Sequence, residues 1–237
     1  MADEGTQTGG YGVQMTKVNA ASSPPRKRRG GYAKSEATRA AILDAALAVF
    51  AESGYRAGSL REIAQRVGMS EAGLLHHFKS KSELMMAVLD RRDELAVEIT
   101  NFNAADGVDR LRGLVRLAAY NASAPGVVEL YCTLSAEATS PTHPAHGYFI
   151  TRYEWTRREV IQAFESVAAE GRLSAATTPT AAAIATISLM DGLQVQWLLD
   201  RTVVDMPEEL SRFFRGIVTG FDLESLESLL DRKVDLG

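Results

Sequence analysis

Between Ser59 and Phe78 two short helical patterns meet at a glycine, and this stretch constrains the chain more than any other. Ser59-Leu60-Arg61-Glu62 has the form of a capping box, serine at the N-cap and glutamate three residues on. Ile63, Ala64 and Val67 follow as a small apolar face, and Gly68 ends it. Met69 fills the turn, Ser70 caps a second helix from Glu71 to Phe78, and Leu74 and Phe78 fall on one side of it. Neither helix is long enough to be stable alone, so each must be held by a neighbour. The neighbour is the segment from Ser35 to Ser53, where Ile42, Ala46, Val49 and Phe50 share a face before Gly54 stops the run. Ser82 is read as the cap of a long further helix through Leu84, Met85, Val88 and Leu95.

Two helices about a glycine turn, braced by a third, form a helix-turn-helix, whose second helix presents its N-terminal residues to base edges. With Leu74 and Phe78 inward, its outer surface carries Glu71, Ala72, Leu75, His76 and Lys79. Charge agrees with this reading. The chain carries 26 Lys or Arg against 30 Asp or Glu, a net of −4. That average conceals a division: residues 21–92 hold 13 bases and 7 acids, and residues 93–237 hold 12 and 21. A local basic region is the footprint of a polyanion binder. Its densest part, Arg26-Lys27-Arg28-Arg29, lies in a Gly-, Ser- and Pro-rich stretch, 1–34, read as a disordered tail. Such an arm suits DNA phosphates or a minor groove.

Residues 35–92 resemble the N-terminal domain of the TetR family of bacterial regulators. The resemblance rests on Ile42, Ala45-Ala46, Phe50, Gly54, Ser59, Ile63-Ala64 and Gly68-Met69-Ser70, completed by Leu74-Leu75-His76-His77-Phe78-Lys79-Ser80-Lys81 and Leu84. It implies a homodimer that reads two half-sites of a palindromic operator in double-stranded DNA. By position, Ser59 and Lys81 would contact phosphate, and Ser70, Glu71 and Ala72 would open the recognition helix. His77 stands at the family's usual histidine. Leu75 replaces a frequent tyrosine and cannot donate its hydrogen bond, though it can meet a thymine methyl.

The rest of the chain keeps helical periods, at 109–120, 127–138, 145–170, 179–200 and from Pro207 to Gly220, with no alternating strand pattern. The expected fold is therefore all-α: a helix-turn-helix domain at 35–81, a larger helical effector-binding and dimerisation domain at 82–222, and a tail at 223–237. Ile184, Ile187, Leu210, Phe213, Phe214 and Ile217 are the expected dimer surface, on helices too apolar for one covered side. Tyr120, Tyr131, Cys132, Tyr148, Tyr153, Trp155, Met190, Asp191, Gln194 and Trp197 mix apolar and polar groups as an effector pocket does. Asp191 is the most informative of them, because a buried carboxylate needs a partner.

Other classes are disfavoured. One cysteine makes no intrachain disulfide or cysteine zinc site. No run of about 18 apolar residues suggests a membrane span, and no secretory leader is visible. A cytoplasmic location is expected. No phosphate-binding loop, nucleophile elbow or dinucleotide fingerprint occurs, so neither an enzyme nor a cofactor is expected. His143-x-x-His146 is read as a loop or helix start, with no metal. The expectation is a repressor released from DNA by a small, partly apolar effector. An effector-independent activator or architectural factor, and a helical-bundle enzyme, are the alternatives.

Overall fold

The computed structural model describes residues 29–104 and 106–222, with side chains from Ser35 onward. Among these residues the fold is all-α, with one isolated bridge between Leu173 and Val218. Three helices form the head: α1 (Arg29–Ala57), α2 (Leu60–Val67) and α3 (Glu71–His77). Then come α4 (Lys81–Thr100), α5 (Gly107–Ser123), α6 (Pro125–Glu137), α7 (His146–Ala169), α8 (Pro179–Leu199) and α9 (Met206–Ile217).

The caps explain where most helices start. The side-chain oxygens of Ser59, Ser70 and Thr178 accept from the backbone N–H of Glu62, Gly73 and Ala181. Helix α4 begins two residues earlier than the sequence reading, because Ser80 and not Ser82 is its cap. Ser80 Oγ accepts from Glu83 N, and the Glu83 carboxylate accepts from Lys79 N, so the glutamate is paired back across the cap. Helix α1 also begins earlier, at Arg29, so residues 29–34 are helical where the sequence suggested tail. It bends at Gly54, whose φ of 71° lies in the left-handed region where a side chain would strain the backbone.

The core of the head is sealed. Ile42, Phe50, Ile63, Leu74, Phe78 and Leu84 are wholly buried. This core does not end with the head: Leu130, Tyr131 and Leu134 of α6 and Phe149 of α7 belong to the same cluster. A second core gathers α5, α7, α8 and α9 around Leu111, Val160, Phe164, Leu210 and Phe214.

Two expectations need correction. Leu210 and Phe214 are fully buried within one chain, so they are core and not a free dimer surface. Helix α8 does have the length and mean hydropathy of a membrane span, 21 residues at 1.2, against the sequence reading. Its place against α6, α7 and α9 gives much of that hydropathy an intrachain use. What stays outside on α8 is an apolar stripe, Ile184, Val195 and Leu199, interspersed with the exposed small residues Ala181, Ala185, Ser188 and Gly192.

Candidate DNA interface and effector cavity

The outer surface of the head carries the residues that the spacing placed there. Ser59, Ser70, Glu71, Ala72, Leu75, His76 and Lys79 are exposed, and His77 is half-buried. Leu75 is 37% exposed, a large apolar side chain facing outward from α3. Arg39 of α1 is a residue that sequence reasoning missed. Its guanidinium lies 4.1 Å from the Phe78 ring centroid and donates to the His77 carbonyl at 3.4 Å, bracing the end of α3 from behind. Not every cation nearby is free for phosphate. Arg66 is paired with Glu52 and Glu62 at 2.6 and 2.8 Å, so Glu62 serves that bridge.

Lys81 is partly committed too. Its Nζ donates to the Arg56 carbonyl at 3.1 Å and sits 4.7 Å from the Tyr55 ring centroid. Burial lowers its pKa, and the Glu137 carboxylate opposes that. Of the basic cluster, Arg26, Lys27 and Arg28 lie outside the described residues; Arg29 opens α1.

A cavity of about 60 Å³ lies in the helical body, lined from α4 to α8. Of the residues expected to form it, Tyr131, Tyr153, Trp155, Met190, Asp191 and Gln194 do so. Ile187, expected at the dimer surface, also lines it. Tyr120, Cys132, Tyr148 and Trp197 do not. Tyr120 packs beside Met190 in a small cluster with Ala96, Ile99 and Leu117, while Trp197 belongs to the core. The Tyr148 hydroxyl donates to Asp93 Oδ2 at 2.5 Å. The Cys132 thiol lies 3.9 Å from Gln194 Oε1. Burial raises its pKa to about 11, with the Asp191 charge adding to the shift. At pH 8 about one thiol in a thousand is then ionised. Iodoacetamide should therefore label the native protein very slowly at pH 8, and label it rapidly once the chain is unfolded in guanidinium. Rapid native labelling would show an open thiol.

The spacing missed Arg92 and Arg152, which also line the cavity. Both side chains are nearly buried, at 8% and 11% exposure. Both pair with the Asp93 carboxylate, Arg92 at 3.3 Å. The Arg92 guanidinium also stacks 4.0 Å from the Tyr131 ring centroid. Across the cavity, Asp191 Oδ2 accepts from the Tyr153 hydroxyl at 2.8 Å. Burial raises the Asp191 pKa, opposed by that hydrogen bond and by the two guanidiniums.

The two histidines of the Pro141–Pro144 break serve local structure. His143 Nδ1 accepts from Ala145 N at 3.2 Å, and its Nε2 is 3.4 Å from Glu137. His146 Nδ1 is 2.8 Å from the Ala138 carbonyl. Among the described residues no group of three or more His, Cys, Asp or Glu is gathered as a metal site.

Residues 42–88 match the profile of the bacterial regulatory proteins of the tetR family. Over 91 residues the chain is 40% identical to the HTH-type transcriptional activator FasR of Mycolicibacterium smegmatis, covering 37% of this chain and 42% of that protein. Over 74 residues it is 35% identical to an HTH-type transcriptional repressor of Mycobacterium tuberculosis, covering 31% and 40%. The matched region thus spans less than half the length of these relatives. Among solved structures, a TetR-family regulator from Agrobacterium tumefaciens aligns with a TM-score of 0.66 at 22% identity, over 78% of this chain and all of that one. A regulator from Saccharomonospora viridis in complex with choline aligns at 0.65 and 23%, over 77% and 98%. These likenesses extend the shared fold well beyond the matched head.

Proposed function

We propose that this chain, a TetR-family transcriptional regulator by its N-terminal domain, is a cytoplasmic homodimeric repressor that a small effector releases from a palindromic operator. The observation that carries this reading is helix α4. It starts just after α3, the proposed recognition helix, at Lys81 and reaches the cavity wall at Arg92, eleven residues or roughly 17 Å along one rigid element. An effector that binds one position of α4 better than another biases the spacing of the two heads, and so the fit to two major-groove half-sites.

Ser59 and Ser70 orient their helix N-termini toward phosphate, where free N–H groups favour an anion. Glu71, Ala72, Leu75 and His76 face base edges, and His77, Lys79 and Lys81 lie toward the backbone. The exposed α8 stripe is the proposed dimer contact, with Phe213 and Ile217 of α9 at its edge. The same fold with choline bound in a relative supports a small-molecule site in the helical body.

The test is selection of genomic DNA fragments by the full chain at moderate salt. A short near-palindromic site should emerge. Lys79→Ala should weaken binding to matched and mismatched sites alike and reduce the salt slope by about one per contact removed. Failure to enrich any site would overturn the DNA reading. A second reading, activation, is favoured by the likeness to FasR. Transcription of the bound genes rises on deletion of the regulator if it represses and falls if it activates.

A further inference from the structure

Two guanidiniums in the cavity wall keep buried hydrogen-bond donors that the surrounding groups leave unused. Arg92 and Arg152 share one carboxylate, Asp93, whose other oxygen is taken by the Tyr148 hydroxyl. The Nε atoms of both arginines are buried and have no hydrogen-bond partner. A buried charged donor left unpaired costs more than a neutral one, and a guanidinium is a rigid fork shaped for a planar oxyanion. The remaining wall is largely apolar, with Phe102, Leu114, Leu117, Val160 and Met190.

We infer that the effector is a compact amphipathic carboxylate, its acid group held by Arg92 and Arg152 and its apolar body lying against Phe102, Leu114 and Val160. This rests on the effector-responsive reading given above. The opposing carboxyl, Asp191, accepts from the Tyr153 hydroxyl, and its burial disfavours the charged form that would repel a bound acid. At about 60 Å³ the cavity holds only a few waters, at roughly 10–15 Å³ each. A ligand of useful size therefore widens it, and α4, which carries Arg92, is one of its walls.

The experiment is isothermal titration of the full chain, without DNA, using hexanoate and octanoate against octanol and octylammonium. Octanoate should bind at least about tenfold more tightly than octanol, with octylammonium weakest. Arg92→Lys and Arg152→Lys keep the charge but lose the fork, and each should weaken octanoate by about tenfold or more. Asp191→Asn removes a carboxylate that opposes the bound acid and should tighten octanoate, and it provides the readout if a lysine variant melts early. Equal binding of octanol, preference for octylammonium that Asp191→Asn abolishes, or no carboxylate binding at millimolar concentration would each overturn the inference. A chain that selects an operator yet ignores carboxylates fails only in ligand class. One that binds octanoate but no DNA site fails as a regulator.

Discussion

Gly113→Ala should lower the melting temperature by about 5–10 °C, whereas Gly147→Ala should leave it unchanged or slightly raised. A Cβ on Gly113 would stand 1.9 Å from the Thr100 carbonyl oxygen and 2.7 Å from its carbon, backbone atoms that cannot rotate aside. Helix α5 or the last turn of α4 must move. Overpacking of this kind costs typically 1–3 kcal/mol, and a chain of this size loses about 2–4 °C for each. At Gly147 nothing lies within reach of an added methyl, and alanine is the better helix former. Calorimetry or circular dichroism melts check the pair. Thr100 and Leu114 both line the cavity, so the forced separation should also alter ligand affinity in whatever Gly113→Ala protein remains folded. Equal melting temperatures for the two variants would show that the α4–α5 contact gives way easily.

Val195→Asp should leave the single chain folded and abolish the proposed dimer. Val195 is 50% exposed, one turn before the C-terminal end of the bare face of α8, so the carboxylate meets water in a lone protomer. In an isologous contact every change occurs twice, and two unpaired carboxylates would be buried together. Uncompensated buried charge costs about 3–5 kcal/mol. Sedimentation should report a monomer at micromolar concentration with an unaltered helical spectrum. Operator affinity should fall by about two to four orders of magnitude, because the second half-site no longer benefits from linkage to the first. A dimer that survives this change would move the contact off the α8 stripe.

Local chemistry was legible wherever a residue acts on its own neighbours. Ser59 and Ser70 were readable as caps because their bonds close within three residues. Ser80-x-x-Glu83 repeats the pattern at Ser59, and that glutamate, not the serine alone, marks Ser80 rather than Ser82 as the cap. Burial was legible, but not what does the burying. The stripe through Leu210 and Phe214 announces a covered face, and α5, not a second chain, lies close against α9. Arg92 and Arg152 were invisible for a related reason. An arginine in a helical repeat looks solvated, and only the meeting of α4, α6 and α7 puts two of them around Asp93 and Tyr131. Asp191 stood out in sequence because its own helix is otherwise uncharged.

The core that runs from Phe78 and Leu84 into Leu130, Leu134 and Phe149 bears on how such regulators can be recombined. A chimera that cuts the chain at the close of α3 and grafts on another reading unit would leave the apolar side of α6 against a stranger's α1. Under the proposed base-reading role of Glu71, Ala72, Leu75 and His76, exchange of operator specificity is better sought by changing these alone, since the exposed positions can vary without disturbing the fused interior. On the proposed reading the unit of inheritance for target choice is one helix face, while the unit of folding is much larger.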